Sequence, residues 1–243
     1  MTLPYSLAPP DPAPLGLIVL QSDETIEMEF RQLLGPDQPL FVSRIPSDTE
    51  VTSQTLAAMR GRITDVARLF PEGRRLAAVG YGCTSASAEI GPGPVARLIK
   101  AGCDCGATTE PLSALIAACE ALGVRRIGFV SPYVPPVSAR LREAIGAGGV
   151  TVARFESFDE PLEANVVRIE AGALREAAHR IAAGGGIDAV FLSCTNLRTF
   201  RFLAGLEAEL GLPFLSSNLV LGWHMLRLAG LNMPDRPERL WTA

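Results

Sequence analysis

The sequence predicts an α/β fold built from two homologous halves, and three observations predict it. Short apolar runs alternate with amphipathic segments along most of the 243 residues. The runs are aliphatic on both faces, as strands buried on both sides of a parallel sheet are. The chain also repeats itself. Gly16 in GLIVL and Gly128 in GFVSP lie 112 residues apart, Val42-Ser43-Arg44 and Val152-Ala153-Arg154 lie 110 apart, and Cys83-Thr84 and Cys194-Thr195 lie 111 apart. Three matches in one order at nearly one offset mark a two-fold duplication rather than a solenoid.

The elements follow in order. Residues 1–14 hold five prolines and no Lys or Arg, which reads as an extended arm and not as a signal peptide. Strands are expected at Leu15–Leu20, Leu40–Ile45, Leu76–Tyr81, Arg126–Val130, Val150–Phe155, Ile187–Ser193 and Pro213–Leu215. Each is short and rich in Val, Ile, Leu or Phe. Helical periodicity is expected over Glu24–Leu34, Thr52–Leu69, Pro92–Ala101, Leu112–Leu122, Val137–Ala147, Ala171–Ala183, Phe200–Leu210 and Val220–Ala229. Several of these stop at glycines such as Gly102, Gly123, Gly146 and Gly184. The resulting organisation is the arm, a first parallel-sheet half at 15–122, a second at 123–231 and a tail at 232–243. The halves are expected to be related by a pseudo-two-fold axis with the active site between them.

Composition narrows the function. A 48% hydrophobic, 20% charged chain has material for a large core. Its net charge is −4 and it has no basic stripe to track phosphates, so no nucleic-acid partner is expected. The longest aliphatic strings are strand-sized, well below the ~20 residues of a bilayer span, so no membrane partner is expected. Five cysteines without an export signal suggest reduced thiols in a cytoplasmic protein. A small-molecule enzyme or binding protein follows, with a homo-oligomer left open.

The duplication puts one Cys-Thr at the end of the third strand of each half: Gly82-Cys83-Thr84-Ser85 and Ser193-Cys194-Thr195-Asn196. Ligands of parallel α/β sheets bind at these strand ends. Backbone donors and a helix start there are expected to pull a thiol pKa down from ~8.5, and the neighbouring hydroxyls can hold a carboxylate or an enediolate. One such cysteine is ordinarily a small core residue. Two at matching positions, facing one another across a pseudo-dyad, suit chemistry on both faces of a small planar species.

These motifs, with IVLQSDETIE, VSPY, EANVVRIE and SSNLVLGWHMLRL, resemble the Asp/Glu racemase superfamily, in its maleate cis–trans isomerase and arylmalonate decarboxylase branch. The resemblance spans about Leu15 to Leu231 and implies two α/β halves, each giving one catalytic cysteine, with no cofactor. By position, Cys83 resembles the isomerase nucleophile and Cys194 its partner across the substrate. Tyr133 resembles the tyrosine that donates to a substrate carboxylate, beside Thr84, Ser85 and Thr195, and Asn165 resembles a carboxylate-binding asparagine. The decarboxylases keep only the second cysteine, so the pair argues against that activity. One departure stands out: where maleate isomerases carry Asn in a Ser-Asn-Thr loop, this chain has Ser22-Asp23-Glu24-Thr25. An ionised Asp23 in the pocket repels a carboxylate. Either it is protonated, or it turns away to cap the next helix, or the substrate brings a donor such as an ammonium or amide.

Other residues carry less. Cys103-Asp104-Cys105 with Cys119 lacks a fourth ligand at zinc-like spacing, so no metal is expected and these thiols read as loop and helix packing. His179 reads as solvated and His224 as packed beside Trp223. Ser216-Ser217-Asn218 reads either as pocket rim or as helix cap. Three functions are open. In the leading one, the Cys83 thiolate adds to a C=C of a small dicarboxylate, the bond rotates and the sulfur leaves. In the second, the two thiols act as bases of an amino-acid or N-acyl amino-acid racemase. The third is a non-catalytic binder of a small acid, implied by similarity to members associated with ectoine breakdown.

Overall fold

The computed structural model describes residues 2–8 and 13–243; Met1 and residues 9–12 of the expected N-terminal arm lie outside the described residues. The first half runs β1 (Leu15–Leu20), α1 (Ile26–Leu33), β2 (Leu40–Ile45), α2 (Ser53–Ala58), α3 (Ile63–Ala67), β3 (Leu76–Gly82), α4 (Thr84–Ile90), α5 (Pro92–Lys100), β4 (Cys105–Thr109) and α6 (Pro111–Leu122). The second runs β5 (Arg126–Ser131), α7 (Pro135–Ala147), β6 (Thr151–Ser157), α8 (Glu163–Val166), α9 (Ala171–Ala183), β7 (Ala189–Leu192), α10 (Leu203–Leu210), β8 (Phe214–Ser216) and α11 (Ser217–Ala229).

The two halves repeat one topology. The sheet orders are β2-β1-β3-β4 and β6-β5-β7-β8, and every pairing within them is parallel. The duplicated strands β3 and β7 therefore occupy the same place in each sheet, and the cysteine that follows each emerges at its carboxyl end. The aliphatic strands supply the packing: β1 is buried along its whole length, and so is β7. In the second sheet the Phe129 ring stacks on Phe155 and Phe191 at centroid distances of 5.6 and 6.0 Å, a cross-strand ladder that favours this register.

Helix starts are written in the sequence. Proline at the first turn opens α5, α6 and α7, where its missing N–H costs nothing. Glu110 caps α6, accepting from Leu112 and Ser113 N–H, and Ser216 caps α11, accepting from Leu219 N–H. The buried apolar residues form one continuous core through both halves. Helix α11 crosses over to pack on β3, β4 and α6 of the first half. Gly80 permits that approach, because a Cβ there would lie 2.4 Å from Met225 Sδ.

Several expectations need correction. A fourth strand of the first half, β4, replaces the loop expected around Cys103 and Cys105, with Cys105 opening it. The continuous helix expected over Thr52–Leu69 is broken into α2, a 3-10 turn at Met59–Arg62 and α3; Gly61 within the turn lowers helical propensity. Helix α4 was not expected, because Thr-Ser-Ala-Ser reads as loop chemistry. No helix among the described residues is long and apolar enough to cross a membrane.

Candidate active site

Cys83 follows β3 and caps α4, which gives its sulfur a backbone partner: Ala86 N–H donates to Sγ at 3.4 Å. The Ser85 hydroxyl lies 3.6 Å from the same sulfur. Cys194, one residue beyond Ser193 at the end of β7, receives the Asn196 N–H on its sulfur at 3.3 Å. The two motifs thus present sulfur in the same manner, as the duplication implies. They are tied together directly. Thr84 Oγ1 donates to Ser217 Oγ at 2.8 Å, and that oxygen accepts from Cys194 N–H at 3.0 Å. The Thr195 hydroxyl donates to Gly82 O at 3.3 Å.

Around the thiols sit Tyr133, Asp23 and Glu163. The charges of Asp23 and Glu163 act on both cysteines, and both cysteines act on Tyr133, so the five groups share one buried locus. Cys83 and Cys194 are each only 2% exposed. Burial, the backbone hydrogen bond to its sulfur notwithstanding, pushes the Cys83 thiol up to about 12, with the Glu163 and Asp23 charges adding to the effect. Cys194 is raised well above its ordinary value by burial and then by Glu163, against the lowering effect of a Tyr133 hydrogen bond. The low thiol pKa expected from the helix start is therefore overturned: removal of water and two neighbouring acids outweigh two backbone donors.

Alkylation checks this electrostatic picture. Cys83 is expected to react with iodoacetamide tenfold faster for each pH unit between 7 and 9, without a plateau. Glu163→Gln is expected to raise the rate, because it removes a charge that opposes the thiolate. A plateau near pH 7 would mean a thiol already ionised.

Asp23 does two things at once. Its Oδ1 accepts Thr25 and Ile26 N–H, both at 2.8 Å, and so anchors the start of α1. Its Oδ2 is buried with no hydrogen-bond partner. Burial raises the Asp23 pKa. Asp23 is therefore the helix cap that one alternative from the sequence expected, through Oδ1, while Oδ2 stays buried without a hydrogen bond.

Asn165 does not join the cluster. It lies exposed on α8, whereas Glu163, two residues earlier, faces inward and is 5% exposed. Its Oε2 accepts from Asn196 Nδ2 at 3.1 Å, and burial raises its carboxyl to about 7. Of this turn, Glu163 and not the expected Asn165 is brought to the cluster. Asn196 was missed as well. Besides holding Glu163 it receives Glu24 N–H on Oδ1 at 2.9 Å and the Thr25 hydroxyl on its carbonyl at 3.0 Å, clamping the start of α1 to the second half.

A second buried carboxyl, Glu29 on α1, supports the site from behind. It accepts Thr199 N–H at 2.6 Å, Phe200 N–H at 2.9 Å and Asn218 Nδ2 at 2.8 Å. Asn218 also donates to Thr195 O at 2.8 Å, so Glu29 positions the loop that carries Cys194. The Ser216-Ser217-Asn218 segment combines the roles left open: Ser216 caps α11, Ser217 joins the cysteine motifs and Asn218 holds the loop. His224 bonds Thr109 Oγ1 at 2.8 Å through Nδ1, away from the thiols, and His179 faces Glu209.

Cys194 has φ of +138°, a backbone region that a residue with a Cβ rarely adopts. Such strain recurs where a loop must aim one group, at ~1–3 kcal/mol each. Cys194→Gly is accordingly expected to be at least as stable to urea as Cys194→Ala, reversing the usual ~1 kcal/mol penalty of glycine. A clearly less stable glycine variant would show that this backbone is relaxed.

A strap closes the cluster. Glu50 and Leu162 form an isolated antiparallel bridge, Val51 N–H donates to Pro161 O at 3.0 Å, and Glu163 N–H to Thr49 O at 3.3 Å. These bonds join the β2–α2 connection of the first half to the β6–α8 connection of the second, beside the thiols.

Comparison with known proteins agrees with the fold. The chain is 27% identical over 234 residues to a maleate isomerase of Pseudomonas putida, covering 89% of this chain and 92% of that protein. It is 27% identical over 229 residues to an arylmalonate decarboxylase of Bordetella bronchiseptica, covering 92% and 93%. Its fold superposes on the crystal structure of a Pseudomonas putida S16 maleate isomerase variant with maleate at a TM-score of 0.82 and 23% identity, over 95% of this chain and 97% of that one. The model of the arylmalonate decarboxylase family matches residues 16–239, and the chain belongs to that family.

Proposed function

We propose that this protein is a cofactor-independent isomerase of a small carboxylic acid, with Cys83 and Cys194 acting on opposite faces of the reacting carbon. The observation that carries the reading is the pairing of two equivalently presented thiols in one buried locus with Tyr133 beside them. A decarboxylase of the kind the resemblance describes uses one cysteine; here both are present and neither is turned out of the cluster.

In the leading mechanism the Cys83 thiolate adds to the C=C of an acid such as the maleate of the relatives. The C–S bond forms as the π pair moves onto the adjacent carboxylate, giving an enediolate-like adduct held by the Tyr133 and Ser85 hydroxyls. The former double bond rotates, the pair returns, and the C–S bond breaks to release thiolate and trans product. Cys194 shields the opposite face. Two buried acids in the pocket, Asp23 and Glu163, favour a second mechanism. One thiolate takes an α-proton and the other thiol returns a proton from the far side, inverting the carbon.

Proton NMR in heavy water tests both. Maleate and a set of amino and N-acylamino acids are incubated with the native protein and with Cys83→Ala. Addition and elimination changes the alkene signals without obligatory exchange, whereas the two-base route replaces the α-hydrogen by deuterium. Neither change with any member would overturn the isomerase reading.

A further inference from the structure

We infer that the substrate carries, beside its carboxylate, a nitrogen that donates hydrogen bonds, as an ammonium or an acylamino group, and that Asp23 and Glu163 recognise it. This rests on the buried two-thiol cluster being the active site, and it adds the substrate class. Three observations support it. Asp23 Oδ2 is buried with no donor, although Oδ1 is fully engaged with Thr25 and Ile26 N–H. A buried acceptor without a partner is uncommon in a folded protein and calls for one, which a ligand donor can supply. The Thr195 hydroxyl acts on Asp23 too, but it donates to Gly82 O at 3.3 Å and has one proton, so it cannot serve both acceptors.

Glu163 is the second acceptor. It takes one side-chain hydrogen bond, from Asn196, and lies close enough to Asp23 for the two charges to oppose one another. Two acids side by side in a dry pocket are costly unless a donor or a cation joins them.

Among the described residues, no Arg, Lys or His forms an ion pair with Asp23 or Glu163. Arg44, the one basic residue acting on Asp23, spends its guanidinium on the carbonyls of Leu20, Gln21 and Asp23 and on the Glu27 carboxylate. A dianion such as maleate would thus find hydroxyl donors for one carboxylate and a pair of acids for the other. A molecule with one carboxylate and one N–H-bearing nitrogen complements both ends. Its nitrogen supplies the donor that Asp23 Oδ2 lacks and, as an ammonium, neutralises the acids that hold the thiol protons in place.

Calorimetric titration of the full-length protein with matched pairs tests this: aspartate against succinate, glutamate against glutarate, and alanine and N-acetylalanine against propionate, with maleate alongside. At least one nitrogen-bearing member is expected to bind tenfold or more tightly than its nitrogen-free partner. Asp23→Asn or Glu163→Gln, shown to be folded by circular dichroism, is expected to erase that preference while leaving the nitrogen-free partner unchanged or tighter. Binding of no nitrogen-bearing member, tighter binding of maleate or succinate, or a preference that survives both substitutions would overturn the inference. Failure of the reaction is read separately: a nitrogen-bearing acid that binds in an Asp23-dependent way yet shows no exchange or isomerisation leaves recognition standing and removes the two-thiol mechanism.

Discussion

Cys83→Ala is expected to lose turnover by a factor of about 10³ or more while keeping its fold, because the group that forms or breaks the reacting bond is gone and little else is. The residue is buried, but only the sulfur is removed, and the backbone bonds of α4 remain: Ser87 N–H still donates to the residue 83 carbonyl. The matching change at Cys194 separates the mechanisms. If Cys83 adds to a double bond, Cys194→Ala retains measurable isomerisation, since its thiol only covers the far face. If the thiols are two bases, both variants lose racemisation, yet each still washes deuterium into the enantiomer whose α-hydrogen faces the remaining thiol. Steady-state rates and NMR exchange on the same four proteins, native, each single variant and the double variant, read this out. Full activity in Cys83→Ala would remove the proposed function altogether.

The largest expected effect on stability lies at Glu29. Glu29→Ala leaves Thr199 N–H, Phe200 N–H and Asn218 Nδ2 buried without an acceptor, at ~1–3 kcal/mol each. A loss of about 3 kcal/mol or more in urea unfolding is expected. Activity should fall with it, because Asn218 links Glu29 to the Thr195 carbonyl beside Cys194. The pH dependence has a definite sign. Burial raises the Glu29 carboxyl from 4.5 to about 7, so the folded state holds this proton more tightly than the unfolded chain. Its contribution is complete below 4.5 and is lost as pH rises through about 7, a range corresponding to ~3 kcal/mol. Glu29→Gln abolishes that slope. Equal slopes in native and Glu29→Gln proteins between pH 4.5 and 7.5 would show that Glu29 is charged throughout.

How much of this was legible in the sequence depended on repetition. Cys83 and Cys194 could be read because each is followed by Thr at nearly the same offset as two other matches, a coincidence that packing alone does not produce. Strands β1 and β7 were legible for a simpler reason: burial along the whole strand writes itself as runs of Val, Ile, Leu and Phe. Strand β4 was not legible, since Cys-Gly-Ala-Thr-Thr has no large aliphatic residue and is largely half-exposed. Glu163 was hidden by local geometry. Helix α8 has four residues, too few for any periodicity to say which side chain turns inward, and Asn165 drew attention by its chemistry instead. Glu29 and Asn196 lie far from their partners in the chain, and hydrogen bonds of that span leave no pattern in a single sequence.

The strap over the thiols has a kinetic consequence. Glu163 rides on it, donating its own N–H to Thr49 O while its carboxyl opposes ionisation of both cysteines. Parting of the Glu50–Leu162 bridge would carry that carboxyl off and let water in, two changes that make a thiolate easier to form. Opening and activation would then be one event, with the sulfur inert towards stray electrophiles for as long as the strap is shut.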